Sequence, residues 1–189
     1  MRLSKIALLT ISLGILCIAS GCQKSLTPAQ SQVLKVIEIG SKLNSATESG
    51  LSYSEFRSSV LEFVGALDLA VEMWPQDFSQ SAKQGLLDSK RVWLFTKDLW
   101  ADKVDSSQYK NLNILGMSQK QAERAISELP EKARQTLLLS DGDYMGRKKE
   151  NGNEKFEAKH LSYGRIGTAL NLAGGDFVSA RKEIAIHFR

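Results

Sequence analysis

The chain predicts an all-α fold, an antiparallel helical bundle, on three observations. Apolar residues recur at three- and four-residue spacing over long stretches, as helices buried along one face require. Such stretches open on residues suited to a helix start or close on proline. No strand-like alternation of useful length interrupts them.

The segment before the first helix stands apart. A basic start, Arg2 and Lys5, leads into an apolar stretch over 6–18 and then Ala19-Ser20-Gly21-Cys22. A basic segment, a short apolar segment and small residues before a cut site are what an export signal needs. Its thirteen apolar-stretch residues are too few to cross a hydrocarbon core, which takes roughly 20. The segment resembles the signal peptide and lipobox of bacterial lipoproteins. That resemblance implies removal of residues 1–21 and palmitate-type lipidation of Cys22, which becomes the first residue and the membrane anchor. More than one chain is needed for stable anchoring, and the modification implied here supplies them. The location implied is the cell envelope. In Gram-negative lipoproteins an Asp after the cysteine tends to mark retention in the inner membrane, so Gln23 points to the outer membrane, facing the periplasm, in such a cell.

The predicted organisation is therefore a signal over 1–21 and a helical domain over 22–189, with a sub-boundary near 105–117. The formal charge of +4 falls to +2 when Arg2 and Lys5 leave, because residues 1–21 hold no acid. The pI near 9.0 is thus partly a property of the leader and gives no support to a nucleic-acid partner, which wants a basic face or stripe. Cys17 leaves with the signal and Cys22 is acylated, so no thiol remains for a disulfide or a metal. The exported domain has to be stable on packing alone.

Residues 27–48 place Val33, Val36, Ile37, Gly40 and Leu43 at helical spacing behind Thr27-Pro28, where Pro suits a first turn. Next, Ser52-Tyr53-Ser54-Glu55 has the spacing of a capping box, in which the Ser and Glu side chains satisfy each other's free backbone N–H groups. Behind it Tyr53, Phe56, Val60, Phe63, Leu67, Ala70 and Trp74 form one stripe, which Pro75 ends. A third helix is expected over 79–102, with Leu86, Trp93 and Trp100 seven apart and Val92, Phe95 and Leu99 beside them. Tryptophans on such a stripe are core or seam residues, or else one is exposed for a partner. Residues 30–104 resemble uncharacterised helical bacterial lipoproteins, a resemblance that implies no activity.

The second half is less regular. Ser118 is placed to cap a short helix to Glu128, Pro130 breaks it and begins another to Ser140, and residues 141–154 form a polar, glycine-bearing loop. Helix resumes near Phe156 and again after Gly175, a C-terminal helical hairpin. Its stretch Ile166-Gly167-Thr168-Ala169, then Gly175-Asp176-Phe177 and Ala180, resembles one tetratricopeptide-like helix pair, although a repeat needs neighbours and no second copy is visible. Leu129-Pro130-Glu131-Lys132-Ala133-Arg134 with the residues around Leu161-Ser162-Tyr163 resembles the helix-turn-helix of sigma factors. That motif reads DNA in the major groove, which an exported lipoprotein does not meet, so the stretch reads as amphipathic helices.

Few residues suggest chemistry. Asp141-Gly142-Asp143-Tyr144-Met145-Gly146 has the opening spacing of an EF-hand, but Met145 and Gly152 replace two required oxygen donors. Arg147-Lys148-Lys149 in the same loop suits anionic headgroups. Glu157-x-x-His160 and Glu183-x-x-x-His187 each place an acid and a histidine on one helical face, whereas a di-iron bundle needs two Glu-x-x-His motifs and two further acids. No catalytic residue, metal site or cofactor is assigned. The function expected is a lipid-anchored, non-enzymatic helical binding or adaptor module for another envelope protein, supported if aromatics on the Trp93–Trp100 helix or a groove beside Gly175 are exposed. The alternative is an envelope hydrolase or metal-dependent enzyme with a site near His160 and the loop at 141–154.

Overall fold

The computed structural model describes residues 26–108, 119–137, 144–145, 160–161 and 165–188. The signal segment and Cys22 lie outside them. The fold is an all-α bundle of six helices among the described residues: α1 Pro28–Ser49, α2 Tyr53–Glu72, α3 Gln80–Gln108, α4 Gln119–Ser127, α5 Glu131–Thr136 and α6 Arg165–Ala185. Two two-residue strands, β1 Tyr144–Met145 and β2 His160–Leu161, pair antiparallel. No helix among the described residues is long and apolar enough to cross a membrane.

Local chemistry fixes the starts of the first two helices. Thr27 caps α1: its hydroxyl accepts from the Gln30 N–H at 3.1 Å, the Gln30 side chain accepts from the Thr27 N–H at 3.1 Å, and Pro28 opens the first turn. Ser52 and Glu55 form the expected capping box on α2, with the Ser52 N–H donating to the Glu55 carboxylate at 2.8 Å and the Glu55 N–H donating to the Ser52 hydroxyl at 3.3 Å. Between them Gly50 turns the chain at φ 81°, a left-handed conformation that suits glycine.

The four long helices run alternately up and down. Phe63 of α2 meets Trp93 of α3, and nearer one end Lys83 Nζ donates to the Val71 carbonyl at 3.3 Å. The most extensive pairing is α3 with α6, where a β-carbon on Gly85 would lie 3.1 Å from Ala180 Cβ. Small residues at this seam let the two backbones approach. The ring of α1, α2, α3 and α6 closes where Phe177 covers Gly40 and Asn44 covers Gly174.

One apolar core fills the ring and includes residues from both halves of the chain. Val33, Val36, Phe56, Val60, Phe63, Leu67, Leu86, Val92, Trp93, Leu99, Ala173 and Phe177 are all fully buried. At its centre Phe63, Trp93 and Phe177 form a triangle with ring centroids 4.8, 5.7 and 6.1 Å apart. The buried Ser89 and Thr96 hydroxyls each donate to the carbonyl four residues back, so they add no unmet polar group. Leu129, Ala133 and Leu137 from the α4–α5 segment join the same core.

Several elements differ from their sequence reading, and α5 ends at Thr136 with Leu137 as its C-cap, short of the expected Ser140. On α1, Ile39 is buried while Ile37 is only partly so. The third helix runs on to Gln108, past the expected end at 102. The expected break before Gly175 does not form: α6 continues through Gly174 and Gly175, because the bare Gly174 backbone receives the Asn44 side chain and the apolar stripe from Ile166 to Ile184 buries as one face.

Candidate functional site

Among the described residues, a set of polar contacts joins distant parts of the chain where α3 begins and α6 ends. Ser79 caps α3, its hydroxyl oxygen accepting from the N–H groups of Ser81 at 3.1 Å and Ala82 at 3.3 Å. A residue three places into a helix often supplies a carboxylate to such a cap, but here that residue is Ala82. Glu183 supplies one from the far end of the sequence. The hydroxyl of Ser79 donates to Glu183 Oε2 at 2.9 Å, and the Ser81 hydroxyl donates to the same oxygen. The carboxylate thus sits at the positive end of the α3 dipole. The Ser81 hydroxyl, then that of Ser79, holds its pKa below the ordinary carboxylate value, with desolvation opposing them.

Beneath this clasp the Phe78 ring stacks on His187 at 4.6 Å and meets Trp74 and Phe188 edge-on at 6.1 and 5.4 Å. Lys83 Nζ lies 5.9 Å from the Trp74 ring centre. The arrangement ties the α2–α3 link to the 3-10 turn Ile186–Phe188 that follows α6.

Glu183 and His187, read from the sequence as a pair, therefore divide. The acid belongs to the serine clasp, and the imidazole lies on Phe78. His160 also departs from its reading: it stands in β2, its backbone paired with Met145, because the chain there forms a strand pair and not a helix. Glu157, the basic run 147–149 and all of the EF-hand-like segment except Tyr144 and Met145 lie outside the described residues. No group of three or more His, Cys, Asp or Glu side chains among the described residues is arranged to hold a metal ion.

The aromatic residues of α3 serve the core. Trp93 is fully buried, and half-buried Trp100 packs against Phe56 at 5.3 Å and Tyr53 at 6.1 Å. The exposed aromatics that would have marked a partner surface on this helix are thus not found. Gly175 is exposed, with open space around a β-carbon built on it, but it lies within a continuous helix.

The sequence reading missed the Ser79–Ser81–Glu183 clasp. Its visible signal was a Ser-x-Ser start with no acid in the first turn of the helix, a cap that lacks its usual carboxylate. Nothing local points to Glu183, which lies 104 positions beyond Ser79. No family model, curated protein or solved structure matches the chain.

Proposed function

We propose that the protein is a lipid-anchored, non-enzymatic helical module of the cell envelope, held by lipid on Cys22 and serving as an adaptor for another envelope protein. The observation that carries this reading is the short distance between the lipobox cysteine and the folded domain. The α1 cap, Thr27, follows Cys22 by five positions, a reach of at most about 18 Å for extended chain. Such a tether keeps the bundle beside the bilayer instead of letting it range through the envelope. A closed bundle whose aromatic centre is filled by its own side chains suits a rigid spacer or docking element.

The test is recovery of a tagged full-length chain from detergent-solubilised membranes after mild crosslinking, with Cys22→Ala as control. The expected result is one specific envelope protein that is lost with the anchor. Recovery of the chain alone would remove the adaptor reading.

A further inference from the structure

Antiparallel packing brings Leu26, the last turn of α2, the α2–α3 link and the turn after α6 to one end of the bundle. Five large hydrophobic residues are exposed among the described residues, and four stand at this end: Leu26 at 46%, Leu69 at 54%, Met73 at 45% and Ile186 at 66%. The fifth, Leu61, lies eight residues back along α2, about 12 Å away at the rise of a helix. A single exposed leucine is ordinary on a protein surface. Four apolar side chains from three separate parts of the chain, gathered at the end nearest the lipobox cysteine, form a pattern that scattered exposure does not produce.

Half-buried Trp74 stands among them, but its ring meets Phe78 and its Nε1 is buried within the fold, so the four exposed aliphatic side chains carry the argument. The charges of the described residues at this end are of both signs and do not select a headgroup of one charge. Among the described residues the acids Glu72, Asp77 and Glu183 and the bases Lys83 and Lys182 stand near these same helix ends, a mixture of both signs. The attraction on offer is therefore apolar.

We propose that this end of the bundle docks onto the phospholipid bilayer, with Leu26, Leu69, Met73 and Ile186 entering the boundary between headgroups and acyl chains. The docking rests on the Cys22 anchor reading, since lipid on that residue brings this end to the bilayer. It gives the bundle a fixed pose, with its long axis rising from the membrane and the Gly50 end directed away from it.

Met73→Cys, Ile186→Cys, Leu61→Cys and Glu48→Cys, each made separately in full-length protein that carries Cys17→Ser and keeps Cys22, provide the test after labelling with an environment-sensitive fluorophore. The labelled proteins are reconstituted in neutral phosphatidylcholine vesicles with and without lipid-borne quencher, and the mass of the Cys22 peptide is read from the same samples. Docking predicts a blue shift and loss of emission at positions 73 and 186, with positions 61 and 48 unchanged. Equal quenching at 61 places the bundle on its side and overturns the proposal. Labels at 73 and 186 shielded from a soluble quencher but untouched by the lipid quencher put protein, such as a second copy, on this end and overturn it as well. Lipid on Cys22 with all four labels in water overturns the docking and leaves the anchor standing. A Cys22 peptide without lipid removes both.

Discussion

The Phe177 ring rests on the bare backbone of Gly40: its Cζ lies 2.7 Å from the point where a β-carbon on Gly40 would stand. This contact closes the bundle, joining the first and last long helices, and the same ring forms one corner of the triangle with Phe63 and Trp93.

Gly40→Ala is expected to destabilise the protein. Alanine in a helix interior gains about 0.5–1 kcal/mol over glycine, but forcing a methyl into a filled core costs about 1–3 kcal/mol, and the Phe177 ring is fully buried against Phe63 and Trp93. The net effect is a loss of up to about 2.5 kcal/mol, read from urea unfolding of the detergent-solubilised chain. Phe177→Leu makes room at that contact, so adding it to Gly40→Ala should cost less than the sum of the two single changes.

The two adjacent glycines of α6 should respond to different degrees. A β-carbon on Gly175 meets nothing within 4 Å, so Gly175→Ala should stabilise by about 0.4–1 kcal/mol through lost freedom of the unfolded chain. A β-carbon on Gly174 meets the Asn44 side-chain oxygen. That amide must swing away, giving up its 3.0 Å bond to Glu48, and much of the helix gain is cancelled. Thermal midpoints ordered Gly175→Ala, then Gly174→Ala, would confirm the packing. The reverse order would show that the helix is not seated as described.

These glycines also show how far the sequence was legible. Gly-Gly reads as a turn when only local propensity is weighed, yet α6 runs through it because a long apolar stripe and a close approach by α1 outweigh the cost of two glycines. The helix start at Thr27-Pro28, the capping box at Ser52 and the stripes of α2 and α3 were legible because their signals lie within a few residues along the chain. The Glu183 clasp and the gathering of Leu26, Met73 and Ile186 were not, since both arise only when helix ends far apart in sequence meet. Trp93 and Trp100 show the remaining gap: spacing placed them on a stripe but left open whether that stripe met core or partner.

Trp93 and Trp100 should therefore differ in their effect on stability. Truncating a fully buried aromatic costs about 3–5 kcal/mol, and Trp93→Ala should reach that range because the ring meets both Phe63 and Phe177. Half-buried Trp100 packs only at the margin, against Tyr53 and Phe56, so Trp100→Ala should cost clearly less. Equal losses in denaturant titration would contradict the central position of Trp93.

The Glu183 clasp predicts a specific dependence on acid. Its carboxyl is held below the ordinary value of 4.5 by the Ser81 and Ser79 hydroxyls, so the folded state favours the charged form. A depressed pKa contributes stability that is complete above the ordinary value and is lost as pH falls through the lower folded one. Glu38 and Glu55 are shifted in the same direction, by Lys42 and by Ser52 respectively, so acid sensitivity of the native protein alone identifies no single group. Comparison with Glu183→Gln isolates it, because glutamine keeps the shape and removes the charge at the start of α3. The variant should melt at a lower temperature than the native protein at neutral pH, and the two midpoints should converge once the medium is acid enough to protonate Glu183 in the folded state. Ser79→Ala removes both a donor to Glu183 and the cap itself, so at neutral pH it should cost about 1 kcal/mol for the cap with the carboxylate loss added. If the Glu183→Gln midpoint ran parallel to the native one across the whole acid range, the carboxylate would not be titrating in the clasp and the contact would be one of shape alone.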